Sequence, residues 1–224
     1  MTYLFEPVIP SVEIAGRTER FPVRRIWCVG RNYAEHVREM GFASGEPPVF
    51  FAKPPDALVP GGGDIPYPPK TDNLHHEVEL VVAIGRAGAD IPADRAAEHV
   101  FGCAVGIDLT RRDLQAALRK EGRPWEMAKA FDHSAPISAL LPGPVPDHAG
   151  IWLAVNGLER QRGDIASMIW SIPEILAHLS SFVALAPGDL IFTGTPEGVG
   201  PLLPGDAATG GIEGIGTLDI RVIP

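Results

Sequence analysis

The stretch His75-His76-Glu77-Val78-Glu79-Leu80-Val81-Val82 sets two glutamates into an otherwise apolar strand. Spaced i and i+2, they face the same side of it. Two like charges held side by side are costly to bury unless something compensates them. A hard divalent cation is the obvious compensator. Asp108 follows the apolar run Val100–Ile107, a place from which a carboxylate can project into a cleft. Carboxylates without a convincing thiolate partner favour Mg2+ or Mn2+ over Zn2+. The competing reading puts Glu77 and Glu79 on the solvent face of an edge strand, and these residues alone leave the two readings level. His75 and His76 are adjacent and so face opposite sides, which suits a supporting or structural role better than ligation.

His36 and Glu39 lie i and i+3 on a short predicted helix, on one face and within reach of each other. A carboxylate beside an imidazole orients it and raises its basicity, as a general base for water requires. A chance pair on an exposed helix is the ordinary alternative. Lys53 and Lys129 sit in apolar surroundings, where a lysine either snorkels to solvent, the commoner outcome, or serves a site. Arg112 and Gln115, i and i+3 just after Asp108, share a face that would point at a metal there. Arg111, Arg119 and Lys120 read as a solvated face. Gly194-Thr195-Pro196-Glu197-Gly198-Val199-Gly200 lacks the Gly-Lys-Ser/Thr ending of a phosphate loop. It reads as a rigid turn presenting the Thr195 hydroxyl and a backbone amide to a carboxylate.

The elements that must position these groups are short. Strands are expected at Arg25–Gly30, Val78–Ile84, Val100–Ile107, 151–155, 189–193 and Gly216–Ile223. Asn156-Gly157 signals a hairpin turn. Helices are expected over 33–40 with Asn32 as N-cap and Gly41 as stop, over 92–99, over 108–121, and over 172–185 with Pro173 in its first turn. Gly61-Gly62-Gly63 reads as a turn or loop. Glycine and proline total 25 + 23 = 48 of 224 residues, which works against a helical bundle. With 45% hydrophobic and 21% charged residues, disorder is excluded too. The expectation is an α+β or mostly-β fold: residues 1–24 as an N-terminal arm or strand pair, then one domain over 25–224.

The net charge of −9 opposes nucleic-acid binding and docking on anionic membranes. No apolar run approaches the roughly 20 residues that span a bilayer, and no signal peptide is visible at the N-terminus. Cys28 and Cys103 lie in apolar stretches and read as free buried thiols of a cytoplasmic protein.

Several blocks then carry a resemblance: Gly30-Arg31-Asn32-Tyr33-Ala34-Glu35-His36, His75-His76-Glu77-Val78-Glu79-Leu80, Gly106-Ile107-Asp108-Leu109-Thr110-Arg111-Arg112-Asp113, Lys129-Ala130-Phe131-Asp132, Asn156-Gly157, and Ile191-Phe192-Thr193-Gly194-Thr195-Pro196-Glu197-Gly198-Val199-Gly200. Together and in this order they resemble the fumarylacetoacetate hydrolase family. Phe21-Pro22-Val23-Arg24-Arg25 and Phe131-Asp132-His133-Ser134-Ala135-Pro136 look most like its bacterial fumarylpyruvate hydrolase branch. The resemblance implies a mixed β-sandwich or β-roll with short flanking helices, usually a homodimer. It implies Glu77, Glu79 and Asp108 as ligands of Mg2+ or Mn2+, and His36 and Glu39 as the catalytic dyad. Lys129 falls at a position that contacts the substrate, with Lys53 close by. Arg31, Lys53, Arg112, Gln115, Gly194 and Thr195 are the expected substrate-binding residues. Trp125 and Phe131 are expected near the outer pocket, and residues 36–47 as a lid.

The implied activity is hydrolysis of a carbon–carbon bond in an acylpyruvate, with fumarylpyruvate as favoured substrate. Decarboxylation of oxaloacetate, or decarboxylation and isomerisation of meta-cleavage products, would use the same site. A non-catalytic metal- or anion-binding module is the reading from another class. A small dianionic 2-oxo acid fits the local charge despite the acidic chain. Three carboxylates and a divalent ion sum to −1, and Lys53, Arg112 and Lys129 bring that to +2.

Overall fold

The structure, a computed structural model, describes residues 3–39 and 47–224. The loop of the expected lid, and the helix stop expected at Gly41, lie outside the described residues. Among the described residues the fold is α+β, built from mixed sheets with few and short helices.

The largest sheet runs in the order Val49–Lys53, Arg25–Gly30, Asp189–Phe192, Val78–Ile84, Val100–Ile107, Ala135–Ile137, Leu58–Pro60, with Leu141–Pro142 also on Val100–Ile107. Val78–Ile84 is therefore a central strand, and all seven of its residues are buried. That removes the solvent-facing edge reading of its glutamates. Alternate residues enter two different cores. Val78, Leu80, Val82 and Ile84 join the larger one. Val81 and Ala83 join a smaller one on the opposite face. Glu77 and Glu79 share parity with Val81 and Ala83, so the carboxylates belong to the smaller core's face.

A five-stranded sheet covers the larger core, in the order Leu158–Asp164, Gly150–Val155, Ala207–Ile212, Gly216–Ile223, Gly63–Pro66. Asn156 and Gly157 make its hairpin turn with φ of 51° and 77°, as the dipeptide predicts. Gly61 and Gly62 turn as expected, but Gly63 already begins a strand parallel to Gly216–Ile223. Nothing in the Gly-Gly-Gly run announced that pairing, because it is supplied by a partner more than 150 residues away.

The helices came out shorter than expected: Arg112–Lys120 and Ile172–Phe182, with Ala93–His99 as a 3-10 helix. Leu109 to Arg111 is drawn off the helix because Thr110–Arg111 pairs with Leu74–His76. Asn32 staples the start of Ala34–Glu39 to a distant segment. Its Nδ2 donates to the carbonyls of Trp170 and Thr193, and its Oδ1 accepts from the Trp170 amide. Of the two forms expected for residues 1–24, the strand pair is present, Ser11–Glu13 with Arg20–Pro22. It buries Val12, Phe21 and Val23 in the smaller core.

Asp189 opens the strand that leads to the turn at 194–200, and its carboxylate is fully buried. Arg24 Nη1 (3.0 Å) and Arg25 Nη2 (2.8 Å) pair with it, and the Ala186 amide donates to it at 3.0 Å. Asp189→Ala should therefore cost about 1–3 kcal/mol, since it removes the charged acceptor of two partly exposed arginines and of the Ala186 amide. Urea unfolding measures this, and a loss below about 1 kcal/mol would mean that the cluster contributes little.

Candidate active site

Three sheet elements bring the chemistry together. The register pairs Val78 with Ile107, and the Asp108 amide extends this ladder by donating to the Glu77 carbonyl at 2.8 Å. Glu77 and Asp108 are thus cross-strand neighbours, with Glu79 two residues further along the same face. A small sheet of Thr110–Arg111, Leu74–His76 and Gly200–Leu202 ties together the segments before Glu77, after Asp108 and after the glycine-rich turn. One cleft is lined by Val29, Gly30, Arg31, His36, Phe51, Glu77, Glu79, Asp108, Arg112, Gln115, Trp125, Lys129, Gly194 and Thr195. Residues separated by more than 160 positions in sequence meet there, and nearly every expected site residue is among them.

Glu77, Glu79 and Asp108 are all buried, with one oxygen from each inside a 4.8 Å cluster. Their surroundings differ. Glu77 accepts from Lys129 Nζ at 2.9 Å and from Thr110 Oγ1 at 3.2 Å, and pairs with the Arg112 guanidinium. Burial pushes its pKa up, but Lys129 and Arg112 outweigh that and hold it well below the usual carboxylate range. Asp108 meets Lys53 Nζ at 2.8 Å and Lys129 Nζ at 2.6 Å. Glu79 accepts from the Gly194 amide at 2.7 Å, and among the described residues no cationic side chain is in contact with it. Burial, and then the charges of Asp108 and Glu77, raise its pKa far above the carboxylate range. One carboxylate in an otherwise compensated cluster thus lacks a counter-charge. That asymmetry, with oxygen-only donors, fits a hard divalent cation.

Both lysines depart from the snorkelling expectation. Lys53 is 2% exposed and also donates to the carbonyls of Leu109 (3.3 Å) and Lys129. Its ammonium anchors Asp108 and the start of the Lys129 segment. Lys129 is equally buried and bridges Glu77 and Asp108. Its own pKa is lowered by burial but raised more strongly by those carboxylates, so it stays charged. Arg112 and Gln115 are the two buried residues of Arg112–Lys120, joined by a 2.5 Å hydrogen bond. Arg111 leaves the expected solvated face and stacks on the Phe131 ring at 4.4 Å. Phe131 itself is buried in the larger core and does not line the cleft, whereas Trp125 does.

His36 is buried, and its Nδ1 lies 3.1 Å from Glu39 Oε2. Glu39 Oε1 accepts from the Gly198 amide at 3.2 Å, so the glycine-rich turn steadies the carboxylate. A carboxylate accepts only, so Nδ1 carries a proton, and in the neutral ring that tautomer makes Nε2 the acceptor. His75 and His76 stand outside the carboxylate cluster, bonded to Asn73 and Gln161 respectively. Burial and then Arg112 bring His75 down to about 4, which keeps it neutral.

The turn residues are committed differently from the expectation. The Gly194 amide serves Glu79, and Thr195 Oγ1 donates to the Val78 carbonyl at 2.7 Å. Gly194 itself has a φ of 97°, and a Cβ there would stand 2.7 Å from that of Asn32. Gln161 escaped the sequence reading altogether. It is fully buried, yet it sits in a strand of mostly exposed polar residues, Leu158–Asp164. Only its lone inward parity distinguishes it.

Residues 25–223 match the family described as fumarylacetoacetate (FAA) hydrolase, C-terminal. The chain superposes with a TM-score of 0.97 on a Pseudomonas aeruginosa fumarylpyruvate hydrolase solved with Mn2+ and pyruvate, at 53% identity over 99% of each chain. It is 44% identical to a human mitochondrial oxaloacetate tautomerase, over 90% of this chain and 96% of that one. A Mycobacterium smegmatis 5-carboxymethyl-2-hydroxymuconate delta-isomerase aligns at 38% identity and a TM-score of 0.82, covering 91% and 80% of the two chains. A family match across nearly the whole length, with the three carboxylates and His36 lining one cleft, places this chain in the fumarylacetoacetate hydrolase family.

Proposed function

We propose that the protein hydrolyses a carbon–carbon bond of an acylpyruvate, with fumarylpyruvate going to fumarate and pyruvate, in the breakdown of aromatic compounds. The observation that carries this reading is an oriented imidazole in the same cleft as a carboxylate triad that lacks one positive charge. Glu77, Glu79 and Asp108 would hold Mg2+ or Mn2+, whose bound charge would polarise the oxygens of the 2-oxo acid end of the substrate and offset the negative charge that develops there. His36 Nε2 takes a proton from water while Glu39 holds the ring by Nδ1. The hydroxide joins the distal acyl carbonyl, the bond toward the pyruvate half breaks, and the proton goes to the pyruvate carbon. Lys129 and Arg112 supply positive charge for the substrate's oxygens. Arg31, Gln115, Gly194 and Thr195 would shape the remaining contacts, and Lys53, expected to join them, would act through Asp108 and the Lys129 segment that its ammonium holds.

We assign the catalytic machinery to residues 25–224 and take 1–24 as an N-terminal arm whose strand pair packs onto it. Homodimeric assembly and a cytoplasmic location belong to the same proposal. The exposed apolar side chains of Tyr3, Leu4, Phe5, Val8 and Ile9 offer surface for assembly, and both cysteines are free. No helix among the described residues is long and apolar enough to cross a membrane.

The likeness to an oxaloacetate tautomerase favours a second reading, in which the same site acts on oxaloacetate by moving a proton or releasing CO2. Fumarylpyruvate, acetylpyruvate and oxaloacetate assayed side by side decide between them. The expected result is loss of the fumarylpyruvate ultraviolet band with Mg2+ or Mn2+ present, and none after EDTA. Faster turnover of oxaloacetate than of either acylpyruvate would overturn the hydrolase reading.

A further inference from the structure

Gln161 comes from the five-stranded sheet, outside the elements that carry the site, yet its carboxamide makes four hydrogen bonds into it. Oε1 lies 2.9 Å from His76 Nδ1 and 3.1 Å from the Val78 amide. Nε2 lies 2.8 Å from Thr195 Oγ1 and 2.9 Å from the Pro196 carbonyl. The two backbone groups fix its orientation. An amide N–H only donates, so the atom facing Val78 is the oxygen. A carbonyl only accepts, so the atom facing Pro196 is the nitrogen. It follows that His76 Nδ1 carries the proton, and that Thr195 Oγ1, receiving from Gln161, sends its own proton to Val78. All four hydrogen-bonding positions of this buried amide are used.

We propose that Gln161 is a positioning residue that clamps the 194–198 turn onto the segment carrying Glu77 and Glu79. The turn reaches the site at three points: the Gly194 amide on Glu79, Thr195 in the cleft wall, and the Gly198 amide on Glu39. Among the described residues, one side chain joins the turn to His76 and Val78 together, and it is that of Gln161. The clamp has separable halves, oxygen to the Glu77–Glu79 segment and nitrogen to the turn. The substitution Gln161→Glu would keep the first half and lose the second, because a carboxylate cannot donate.

The inference rests on the acylpyruvate reading for its kinetic arm only. Full-length Q161E and Q161M are compared with wild type for Mn2+ affinity by titration, amide exchange of 194–198, and KM against kcat on whichever 2-oxo acid the wild type turns over. Q161E should bind Mn2+ within threefold of wild type, exchange the turn at least tenfold faster, and raise KM at least tenfold with kcat within threefold. Q161M should show the same changes in the turn with a further loss of Mn2+ affinity. If wild type acts on none of the substrates, the function reading fails, and the exchange and Mn2+ measurements still decide the clamp. Wild-type exchange and KM in Q161E, or a lowered melting temperature as its sole effect, would overturn it.

Discussion

Glu79→Gln is expected to abolish divalent-metal binding and activity while making the metal-free protein more stable. The two effects have one cause. Glu79 is buried beside Glu77 and Asp108, takes a hydrogen bond from the Gly194 amide, and is contacted by no cation among the described residues. A glutamine keeps an acceptor for that amide, removes the cost of holding a buried acid protonated and adds a donor facing two carboxylates. A gain on the order of 1 kcal/mol would raise the melting temperature of a chain this size by about 2–4 °C in EDTA. With Mn2+ present the order reverses, because only the wild type gains binding free energy on top of folding. The raised pKa of Glu79 adds a pH signature. Its neutral form is the one the fold favours. Its contribution to stability is therefore complete at low pH, and is lost as pH climbs through a value above the usual carboxylate range. Metal entry must expel that proton, so apparent Mn2+ affinity should strengthen with pH across the same window. Isothermal titration in two buffers of different ionisation heat reads the released proton directly. A variant less stable than wild type in EDTA would show that Glu79 is already compensated.

His36→Ala should lower kcat by about 10²- to 10⁴-fold, the usual worth of a positioned acid–base group, with Mn2+ affinity within threefold of wild type. His36 lines the cleft, but the oxygens that form the candidate metal cluster come from Glu77, Glu79 and Asp108 alone. Glu39→Gln should fall between the two, since Gln still accepts from the Gly198 amide but no longer has the charge that favours a protonated ring. A joint loss of metal and activity in His36→Ala would place His36 in the metal's ligand shell. Retention of oxaloacetate turnover with loss of acylpyruvate hydrolysis would show that the imidazole is needed for the water step only.

Some of this was legible before any tertiary contact was known. The strands at Arg25–Gly30, Val78–Ile84, Val100–Ile107 and Gly216–Ile223 have the bounds expected of them, the first three as apolar runs and the last as an alternating one. Such runs stop where a glycine or a polar residue interrupts the apolar pattern, even where, as at Glu77 and Asp108, the chain stays buried beyond it. The helix over 108–121 was overdrawn for an equally physical reason. Helical propensity extends back through Leu109 to Arg111, but Thr110 finds a strand partner at His75, and propensity is the weaker force. The environments of Lys53 and Lys129 had no sequence signal beyond apolar neighbours. Whether such an ammonium reaches solvent or a carboxylate depends on what folds over it.

The amino-acid sequence by itself determined the inventory: three carboxylates, an imidazole with a carboxylate at helical spacing, buried-strand patterns to carry them, and turns built for positive φ. Those follow from periodicity and residue chemistry, which act over a few positions. Tertiary structure alone decided how the inventory is wired. It put Asp108 opposite Glu77, gave Lys53, Lys129 and Arg112 to two of the three carboxylates, and left Glu79 to an amide and its like-charged neighbours. It also brought Gln161 from another sheet to hold the turn. Electrostatic and hydrogen-bond partners are chosen by distance in space, and in a fold of non-local strand pairings that distance is not written in sequence separation.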